Sequence, residues 1–308
     1  MATITTVAII GANGNLGQAV LPSISSSFKV TVITREESTS VFPPNVKVVK
    51  TKYTEEKLAK ALQGQDAVLC LIDASALQAE NLIINAAASA GVKWFIPSEF
   101  GHNTTDKRVS EVLPVLEGKL KVVSQLRDKE HQGMQWTGLV TGLFFDWGLA
   151  RGVFGFDIAK RTAQIWDGGN TKFLATNVED IVAALMTLLR DAHVREKAKN
   201  RYVYISSFAT TQNETLGELE KFSGAEFAVT HVQSDVLKQN ALADLSKGKL
   251  DSVVQLIQYV ALSQDGLSQW YEEAEEGKQL LHLTPQESLD ETVKRVVAEA
   301  GQGQKSSI

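Results

Sequence analysis

A glycine-rich segment close to the amino terminus restricts the possible folds of this chain more than any other feature. Residues 11–17 read Gly-Ala-Asn-Gly-Asn-Leu-Gly; they follow a short apolar run over residues 6–10 and precede a helical pattern over residues 16–24. In such a strand–loop–helix unit, glycines let the backbone approach a pyrophosphate, and the helix directs its free N–H groups at the anion. An ordinary glycine-rich turn is the alternative interpretation. We predict a dinucleotide-binding loop with contacts from Gly11, Asn13, Gly14, Asn15, Leu16 and Gly17.

Strand-like and helix-like segments alternate through the first half of the chain. Valine-rich strands are predicted at residues 6–10, 30–34, 46–49, 67–72, 94–97 and 136–140, with helices at 16–24, 55–63, 74–90 and 117–130. Buried strands separated by helices are typical of a parallel sheet that is covered on both faces. We therefore expect an α/β protein with a Rossmann-type, doubly wound parallel sheet.

The second half of the chain is less regular and predicts a smaller α+β region that binds the substrate. A strong helical pattern covers residues 176–190, and a strand at 201–205 is expected to return to the first sheet. Further helices are predicted at 216–222, 236–245, 250–262 and 288–300, with a short strand at 227–231. The sequence thus divides into a cofactor domain over residues 1–150, to which residues 176–207 return, and a substrate-binding region over residues 151–308.

Composition excludes several classes of function. The chain has 31 Lys and Arg against 36 Asp and Glu, so it lacks the positive excess typical of nucleic-acid binding. Its one cysteine, Cys70, lies in an apolar run and is expected to be a buried, reduced thiol, and its five histidines are too far apart in sequence to predict a metal site. No signal peptide or membrane span is evident. We expect a cytoplasmic monomer or homodimer whose partner is a small-molecule substrate.

The end of the second predicted strand indicates which dinucleotide is preferred. Sites that prefer NAD(H) usually carry a carboxylate there for the adenosine ribose, whereas this chain has Arg35. A guanidinium group makes bidentate, charge-assisted contacts to phosphate, which favours the 2′-phosphate of NADP(H). Glu36 and Glu37 follow directly, and either could turn toward the ribose; a solvated charge cluster is the third interpretation. On the position of Arg35 we predict NADP(H).

Several segments together resemble one family. The Gly11–Gly17 loop, the Arg35 strand end and the segment Phe-Ile-Pro-Ser-Glu-Phe-Gly at residues 95–101 are similar to the isoflavone reductase-like proteins, in the NmrA-like branch of the atypical short-chain dehydrogenases. That group includes pinoresinol–lariciresinol and phenylcoumaran benzylic ether reductases, and residues 141–148 resemble its fungal members. The resemblance implies an NADPH-dependent reductase of small aromatic or conjugated secondary metabolites. Ser98, Glu99 and Phe100 in the segment 95–101 are expected to contact the cofactor. The sequence departs from the family after the fourth strand, where plant members usually have small residues and glycine: Asp73 places a carboxylate near the expected cofactor path, and we expect it to contact the cofactor.

The resemblance further implies a catalytic lysine on the helix after residues 95–101, in the pattern Lys-x-x-(Val/Ile)-x-x-x-(Leu/Ile). Lys119, Val122 and Leu126 match this pattern, and Lys121 is the fallback. Without the resemblance, either lysine would be interpreted as a solvated surface charge. The pair Tyr53-x-x-x-Lys57 matches the ordinary short-chain dehydrogenase motif, but it lies too early in the chain to reach the nicotinamide in that fold.

Aromatic residues after the sixth strand are candidates for the wall of a substrate pocket. We expect Phe144, Phe145, Trp147 and Phe154 to line an apolar pocket, with Phe156 and Trp166 as further candidates. Large aromatic side chains also fill cores, so about half of this set is expected to be buried instead. Two other functions are compatible with the sequence: an NADP(H)-binding sensor without catalysis, and an epimerase or quinone-type reductase.

Overall fold

The strands of the protein form one large sheet and two small ones. In the computed structural model, which describes residues 3–73 and 76–305, the strands are β1 (Thr6–Ile10), β2 (Lys29–Arg35), β3 (Lys47–Thr51), β4 (Ala67–Cys70), β5 (Trp94–Ile96), β6 (Gln135–Val140), β7 (Leu143–Phe144), β8 (Phe156–Asp157), β9 (Thr162–Trp166), β10 (Phe173–Thr176), β11 (Arg201–Tyr204), β12 (Phe208–Thr210) and β13 (Ala228–Val232). The large sheet has the order β11-β6-β5-β4-β1-β2-β3, and all of its neighbouring strands are parallel. The predicted doubly wound parallel sheet is confirmed.

Helices connect these strands and cover the large sheet on both faces. They are α1 (Asn15–Ser25), α2 (Glu55–Leu62), α3 (Leu77–Ser89), α4 (Lys107–Val112), α5 (Glu117–Lys129), α6 (Phe145–Leu149), α7 (Val178–Arg190), α8 (Ala192–Ala198), α9 (Gln212–Ser223), α10 (Ser234–Ser246), α11 (Ser252–Leu262), α12 (Tyr271–Leu280) and α13 (Leu289–Lys305). Alternate residues of β1 belong to opposite cores: Val7 and Ile9 pack with α1 and α7, whereas Ala8 and Ile10 pack with α2, α3 and α5. This alternation explains why the strand sequence is apolar throughout.

The chain reverses direction across the sheet at β1. From β1 it proceeds to β2 and β3 on one side, and it then crosses back to β4, β5 and β6 on the other. In doubly wound proteins, the crevice at such a reversal, outside the carboxyl ends of the strands, is the usual place for a ligand. The topology therefore brings the loops that follow β1, β2 and β4 to one edge of the sheet.

A second core lies outside the large sheet and is rich in aromatic side chains. The small sheets have the orders β12-β10-β7 and β13-β9-β8, and helices α9, α10, α11 and α13 pack against the same core. The rings of Phe154 and Phe173 stack with centroids 5.4 Å apart, and Phe145 meets Phe208 edge-on at 4.8 Å. Aromatic pairs of this kind stabilise a core beyond the area that they bury.

The structure differs from the sequence-based element prediction mainly in the second half. Residues 173–176, whose side chains are all buried, form strand β10, so the helix predicted from residue 176 begins at Val178. Helices α4, α6, α8 and α12 and the strands β7, β8, β9, β10 and β12 were not predicted. Strand β11 pairs in parallel with β6, in agreement with the strand predicted at residues 201–205. The helix predicted over residues 74–90 is α3; residues 74 and 75 lie outside the described part of the chain.

Candidate active site

The glycine loop forms a tight turn that side chains would obstruct. Gly11 has a φ of +87°, and a Cβ atom there would lie 2.6 Å from the carbonyl carbon of Leu71, at the end of β4. A Cβ atom at Gly17 would lie 2.7 Å from the carbonyl carbon of Ala12, so this glycine lets α1 pack against the loop. Both contacts involve backbone atoms, which cannot move aside as a flexible side chain could. The loop thus requires glycine at the two positions for different steric reasons.

Helix α1 presents its amino-terminal end to the adjacent cavity. Gly14 occupies the N-cap position, no side chain caps the helix, and Gly14 itself lines the cavity. The first N–H groups of a helix have no partner within it and carry a partial positive charge, so they form a good anion site. A Cβ atom at residue 14 would lie 3.3 Å from the carbonyl oxygen of Gly11, a tight contact that glycine avoids. The uncapped helix end beside the cavity fits a pyrophosphate group.

A cavity of about 660 Å³ lies over the carboxyl ends of β1 to β4. Its size is within the range of pockets that hold cofactors. Its walls come from the glycine loop and from the residues that follow β2, β3 and β4: Gly11, Asn13, Gly14, Thr34, Arg35, Glu37, Ser38, Thr51, Lys52, Tyr53, Leu71, Ile72, Asp73, Ala76 and Ala79. The predicted contact residues Arg35 and Asp73 therefore border the same space as the loop.

The remaining loop residues have other positions. The Asn13 side chain donates a hydrogen bond to Ser40 Oγ at 2.9 Å, which joins the loop to the segment after β2. Asn15 is exposed and does not border the cavity, whereas Leu16 and Gly17 are buried. Leu16 packs in the core beneath α1, so its side chain is not a cofactor contact.

The charged residues of the cavity form two ion pairs on the protein surface. Arg35 Nε lies 3.6 Å from Glu37 Oε1, and Lys52 Nζ lies 3.8 Å from Glu36 Oε2. Lys52 was not predicted from the sequence because it follows β3, seventeen positions after Arg35. The parallel pairing of β2 with β3 sets Arg35 opposite Thr51 and so brings Lys52 beside it.

The segment after β5 is held by hydrogen bonds to two neighbouring elements. Ser98 Oγ donates to the carbonyl oxygen of Ile72 at 2.5 Å, and the Ser98 backbone N–H donates to Glu80 Oε1 at 2.8 Å. Glu80, on α3, is fully buried, and the Cys70 thiol also hydrogen-bonds to its carboxyl group. Burial raises the pKa of Glu80 to about 7, and it raises the pKa of the Cys70 thiol. The expected buried, unpaired cysteine is thus confirmed.

Glu99 interacts with the candidate lysine through its backbone carbonyl and through the charge of its carboxylate. The Lys119 ammonium group donates a hydrogen bond to the Glu99 carbonyl oxygen at 3.3 Å. The Glu99 carboxylate is buried and accepts a hydrogen bond from Thr104 Oγ1 at 3.0 Å, and burial raises its pKa. Neither Glu99 nor Ser98 borders the cavity over β1 to β4. Phe100, which is half-buried, packs against the core beneath α1 and α7.

The two candidate lysines occupy opposite environments on α5. Lys119 is only 8% exposed, and Val122 and Leu126 on the same helix are buried, as the pattern predicted. Lys121 is exposed and borders a separate surface groove with Lys107, Glu111 and Glu117. Lysine is almost never buried without a partner, so a surface interpretation does not account for Lys119.

A buried histidine lies near Lys119 and was missed in the sequence. His102 Nε2 is 3.1 Å from the carbonyl oxygen of Ile257 on α11, and in the described part of the chain its Nδ1 has no hydrogen-bond partner. Burial lowers the pKa of His102 to about 4, with a further lowering from Lys119. The imidazole is therefore neutral near pH 7. The only sequence feature that could have indicated His102 is its position directly after the segment 95–101, which resembles the isoflavone reductase-like proteins.

The four predicted pocket aromatics divide into two pairs. Phe145 and Phe154 are fully buried in the second core, as are Phe156 and Trp166. For Phe145 and Phe154 the structure corrects the expectation of a pocket wall, because their rings pack against each other with centroids 5.2 Å apart. Phe144 and Trp147 are partly exposed, and the Arg151 guanidinium lies 4.3 Å from the centre of the Trp147 ring.

The part of the chain that the structure describes contains neither a membrane-spanning helix nor a metal-binding cluster. Within residues 3–73 and 76–305, no helix combines the length and apolarity that are needed to cross a membrane. The same residues contain no group of three or more His, Cys, Asp or Glu side chains arranged to hold a metal ion.

Comparison with known proteins identifies the family. The NmrA-like family model matches residues 3–276. The oxidoreductase aprR of Aspergillus flavus is 32% identical over 296 residues, which cover 94% of this chain and 98% of that protein. The isoflavone reductase homolog IRL of Zea mays is 28% identical over 193 residues, which cover 61% of this chain and 60% of that protein.

Solved structures agree in fold. AtPrR2, determined with NADP+ and (+)-pinoresinol, superposes with a TM-score of 0.78 and 19% identity, and the match covers 96% of this chain and all of that one. At this identity the likeness establishes the architecture rather than the ligand. The glycine loop at the reversal of the sheet, the family-like segment after β5 and the family model lead to one conclusion: the chain belongs to the NmrA-like family and is similar to the isoflavone reductase-like proteins within it.

Proposed function

We propose that this protein is an NADPH-dependent oxidoreductase that reduces a small aromatic or otherwise conjugated compound, with Lys119 as its proton-transfer group. One observation carries the proposal: a buried lysine hydrogen-bonds to the backbone of the segment after β5, at the same edge of the sheet as the glycine loop. The names of the relatives support it, since aprR is an oxidoreductase and AtPrR2 was determined with NADP+ and an aromatic compound.

The residues of the cavity fit the parts of NADPH. The pyrophosphate would lie on the glycine loop and the amino terminus of α1, and Arg35 would face the 2′-phosphate. Bound NADPH supplies a hydride, and the protein supplies its position and the proton. Asp73 lines the same cavity, and Ser98 links the segments that follow β4 and β5 through its hydrogen bond to Ile72.

Lys119 has the chemical properties that the reduction requires. When hydride reaches an electrophilic carbon, negative charge develops on a neighbouring atom of the substrate, and a proton must follow. The Lys119 ammonium has three N–H donors, of which the Glu99 carbonyl oxygen accepts one. A second N–H can stabilise the developing charge and transfer its proton, and Lys119 then regains a proton from solvent. The half-buried Phe144 and Trp147 are the remaining aromatic candidates for contact with the substrate.

The test compares two lysines on the same helix. NADPH consumption is followed by absorbance across a panel of phenolic, quinone and enone compounds, and the best substrate is then used for Lys119→Ala and Lys121→Ala. We expect Lys119→Ala to lower kcat by roughly 10²–10⁴, the range for loss of a general acid. Lys121→Ala should remain within about twofold of the wild type, because substitutions of exposed residues away from the reaction have small effects.

Three results would contradict the proposal in different ways. Full turnover by Lys119→Ala would remove the lysine from the mechanism and leave the reductase intact. A large loss in Lys121→Ala alone would transfer the role to that residue. No consumption with any compound, together with tight NADPH binding, would instead favour a dinucleotide sensor.

A further inference from the structure

The cavity over β1 to β4 carries a second cation in addition to Arg35. We propose that Lys52 binds the 2′-phosphate of NADPH together with Arg35, and that these two residues set the preference for NADPH over NADH. The inference rests on the proposed use of NADPH and extends it to a specificity-determining residue on a different strand. Three observations support it: the register of β2 and β3, the residues that line the cavity, and the weak ion pairs that the two cations now form.

Strand register brings the two cations to one place. Arg35 is the last residue of β2, and its parallel partner in β3 is Thr51, so Lys52 leaves the sheet directly beside it. Both side chains line the cavity that contains the glycine loop. Because the cavity is continuous from Gly14 to Lys52, a dinucleotide with its pyrophosphate on the loop extends its adenosine end toward this pair.

The present partners of the two cations are easily replaced. Arg35 and Lys52 are 73% and 65% exposed, and their distances to Glu37 and Glu36 are 3.6 and 3.8 Å. Exposed ion pairs at such distances are weak and are screened by salt. A phosphate dianion between the two cations offers shorter, charge-assisted hydrogen bonds to both. Phosphate binding therefore exchanges two weak carboxylate contacts for two stronger ones.

Other basic side chains near the cavity do not fit this role. Lys50 donates a hydrogen bond to the carbonyl oxygen of Ser38 at 2.5 Å and does not line the cavity. Lys47 begins β3 at the opposite end of the strand. Lys47 and Lys52 are five positions apart in extended chain, a distance of about 16 Å, which exceeds the Debye length of about 8 Å at physiological ionic strength. Lys47 is therefore a matched control for the loss of one surface charge on the same strand.

The experiment measures binding without any substrate. Dissociation constants for NADPH and NADH are determined by calorimetric titration of the wild type, Lys52→Ala, Lys52→Arg, Arg35→Ala and Lys47→Ala at about 0.15 M salt. We expect Lys52→Ala to raise the dissociation constant for NADPH about tenfold, which corresponds to the loss of one charge-assisted hydrogen bond. The dissociation constant for NADH should change less than about twofold. Lys52→Arg should retain most of the NADPH affinity, and Lys47→Ala should leave both constants unchanged.

A second probe isolates the phosphate. Titration with 2′,5′-ADP against 5′-AMP, which lacks only the 2′-phosphate, repeats the comparison with ligands that have no nicotinamide half, so that only the adenosine end is measured. Lys52→Ala should weaken the binding of 2′,5′-ADP and leave the binding of 5′-AMP unchanged. Equal weakening of both ligands would identify a structural effect and overturn the inference, as would a ratio of NADPH to NADH affinity that stays at the wild-type value.

Failure of this inference is distinct from failure of the proposed function. If Arg35→Ala loses the NADPH preference and Lys52→Ala keeps it, Lys52 has no part in the subsite while the reductase proposal stands. If the wild type binds neither dinucleotide, the proposed function fails and the inference fails with it.

Discussion

Two regions at the same edge of the sheet are built in opposite ways. The cavity over β1 to β4 is bordered by cations that are more than half exposed, each beside an exposed carboxylate that follows β2. The Lys119 region instead collects buried groups from three separate segments: Glu80 on α3, Glu99 and His102 after β5, and Lys119 itself on α5. Charges in the first region interact weakly through water, whereas charges in the second interact strongly in a medium of low polarity.

This difference predicts which properties a substitution should change in each region. At the cavity, the decisive features are backbone geometry and the identity of a few surface side chains, so single substitutions should alter ligand binding selectively. In the Lys119 region, protonation of one group alters its neighbours, so substitutions should alter stability and pH dependence together. The predictions below test this contrast, beginning with the largest expected effect.

Gly17→Ala should have the largest effect of these substitutions, because the added Cβ atom would collide with backbone atoms of the glycine loop. A methyl group there would lie 2.7 Å from the carbonyl carbon of Ala12, and the loop must shift to accommodate it. We expect a loss of about 3 kcal/mol in the free energy of unfolding, as in overpacked cores, together with loss of NADPH binding. Urea denaturation and calorimetric titration measure the two effects.

Gly217→Ala is the matched control for that substitution. Gly217 lies in helix α9, as Gly17 lies in α1, but it is exposed and no atom lies within 4 Å of a Cβ atom built there. Alanine is favoured over glycine in a helix by up to about 1 kcal/mol, so Gly217→Ala should stabilise the protein slightly. Equal stability of Gly17→Ala and the wild type would show that the loop adjusts freely, and the argument for its glycines would fail.

Glu80→Gln should change the pH dependence of stability rather than the cavity. The carboxyl group titrates near 4.5 when unfolded, and burial raises its pKa to about 7 in the folded protein. A raised carboxyl pKa favours the folded state fully at pH values below the unfolded pKa, and that contribution is lost as the pH rises through about 7. The shift corresponds to about 3 kcal/mol. Glutamine keeps an acceptor for the Ser98 N–H and does not titrate, so its stability should fall less between about pH 5 and pH 8.

The measurement is the urea midpoint of the wild type, Glu80→Gln and the exposed control Glu111→Gln across that range of pH. Only Glu80→Gln should flatten the profile, and it should be more stable than the wild type at the alkaline end. Parallel profiles for the wild type and Glu80→Gln would mean that the buried carboxyl group does not change its protonation on folding. The contrast between the two regions would then lose its electrostatic basis.

The same contrast explains what the sequence could reveal. The glycine loop, β1 and α1 are contiguous, so their geometry follows from local spacing, and Arg35 follows from the end of one strand. Lys52 becomes recognisable only when the order of the strands is known, since β3 must lie beside β2. No local pattern distinguishes Glu80, a single acidic residue in a helix that is otherwise rich in alanine, from a solvated one.

The aromatic segment after β6 shows a further limit of sequence reasoning. Phe144 and Phe145 are adjacent in sequence but belong to different cores. Phe144 packs at the edge of the core beneath α1 and α7, whereas Phe145 lies fully inside the second, aromatic core. An apolar side chain suits a core and a pocket wall equally well, so composition cannot separate the two. The separation depends on how α6 packs against β10, which only the tertiary structure supplies.

Glu36→Gln should change dinucleotide binding least, but the direction of that change distinguishes two roles for Glu36. Its carboxylate pairs with Lys52 at 3.8 Å in an exposed setting, where ion pairs contribute about 0–1 kcal/mol. If the carboxylate competes with a 2′-phosphate for Lys52, its removal should tighten NADPH binding by about twofold to threefold and leave NADH unchanged. The gain should disappear at about 1 M salt, because screening weakens both contacts at the surface. If Glu36 instead accepts hydrogen bonds from the adenosine ribose, Glu36→Gln should weaken the binding of NADH and leave the binding of NADPH unchanged. Titration of both dinucleotides at low and high salt therefore decides whether this exposed carboxylate opposes the phosphate or recognises the sugar.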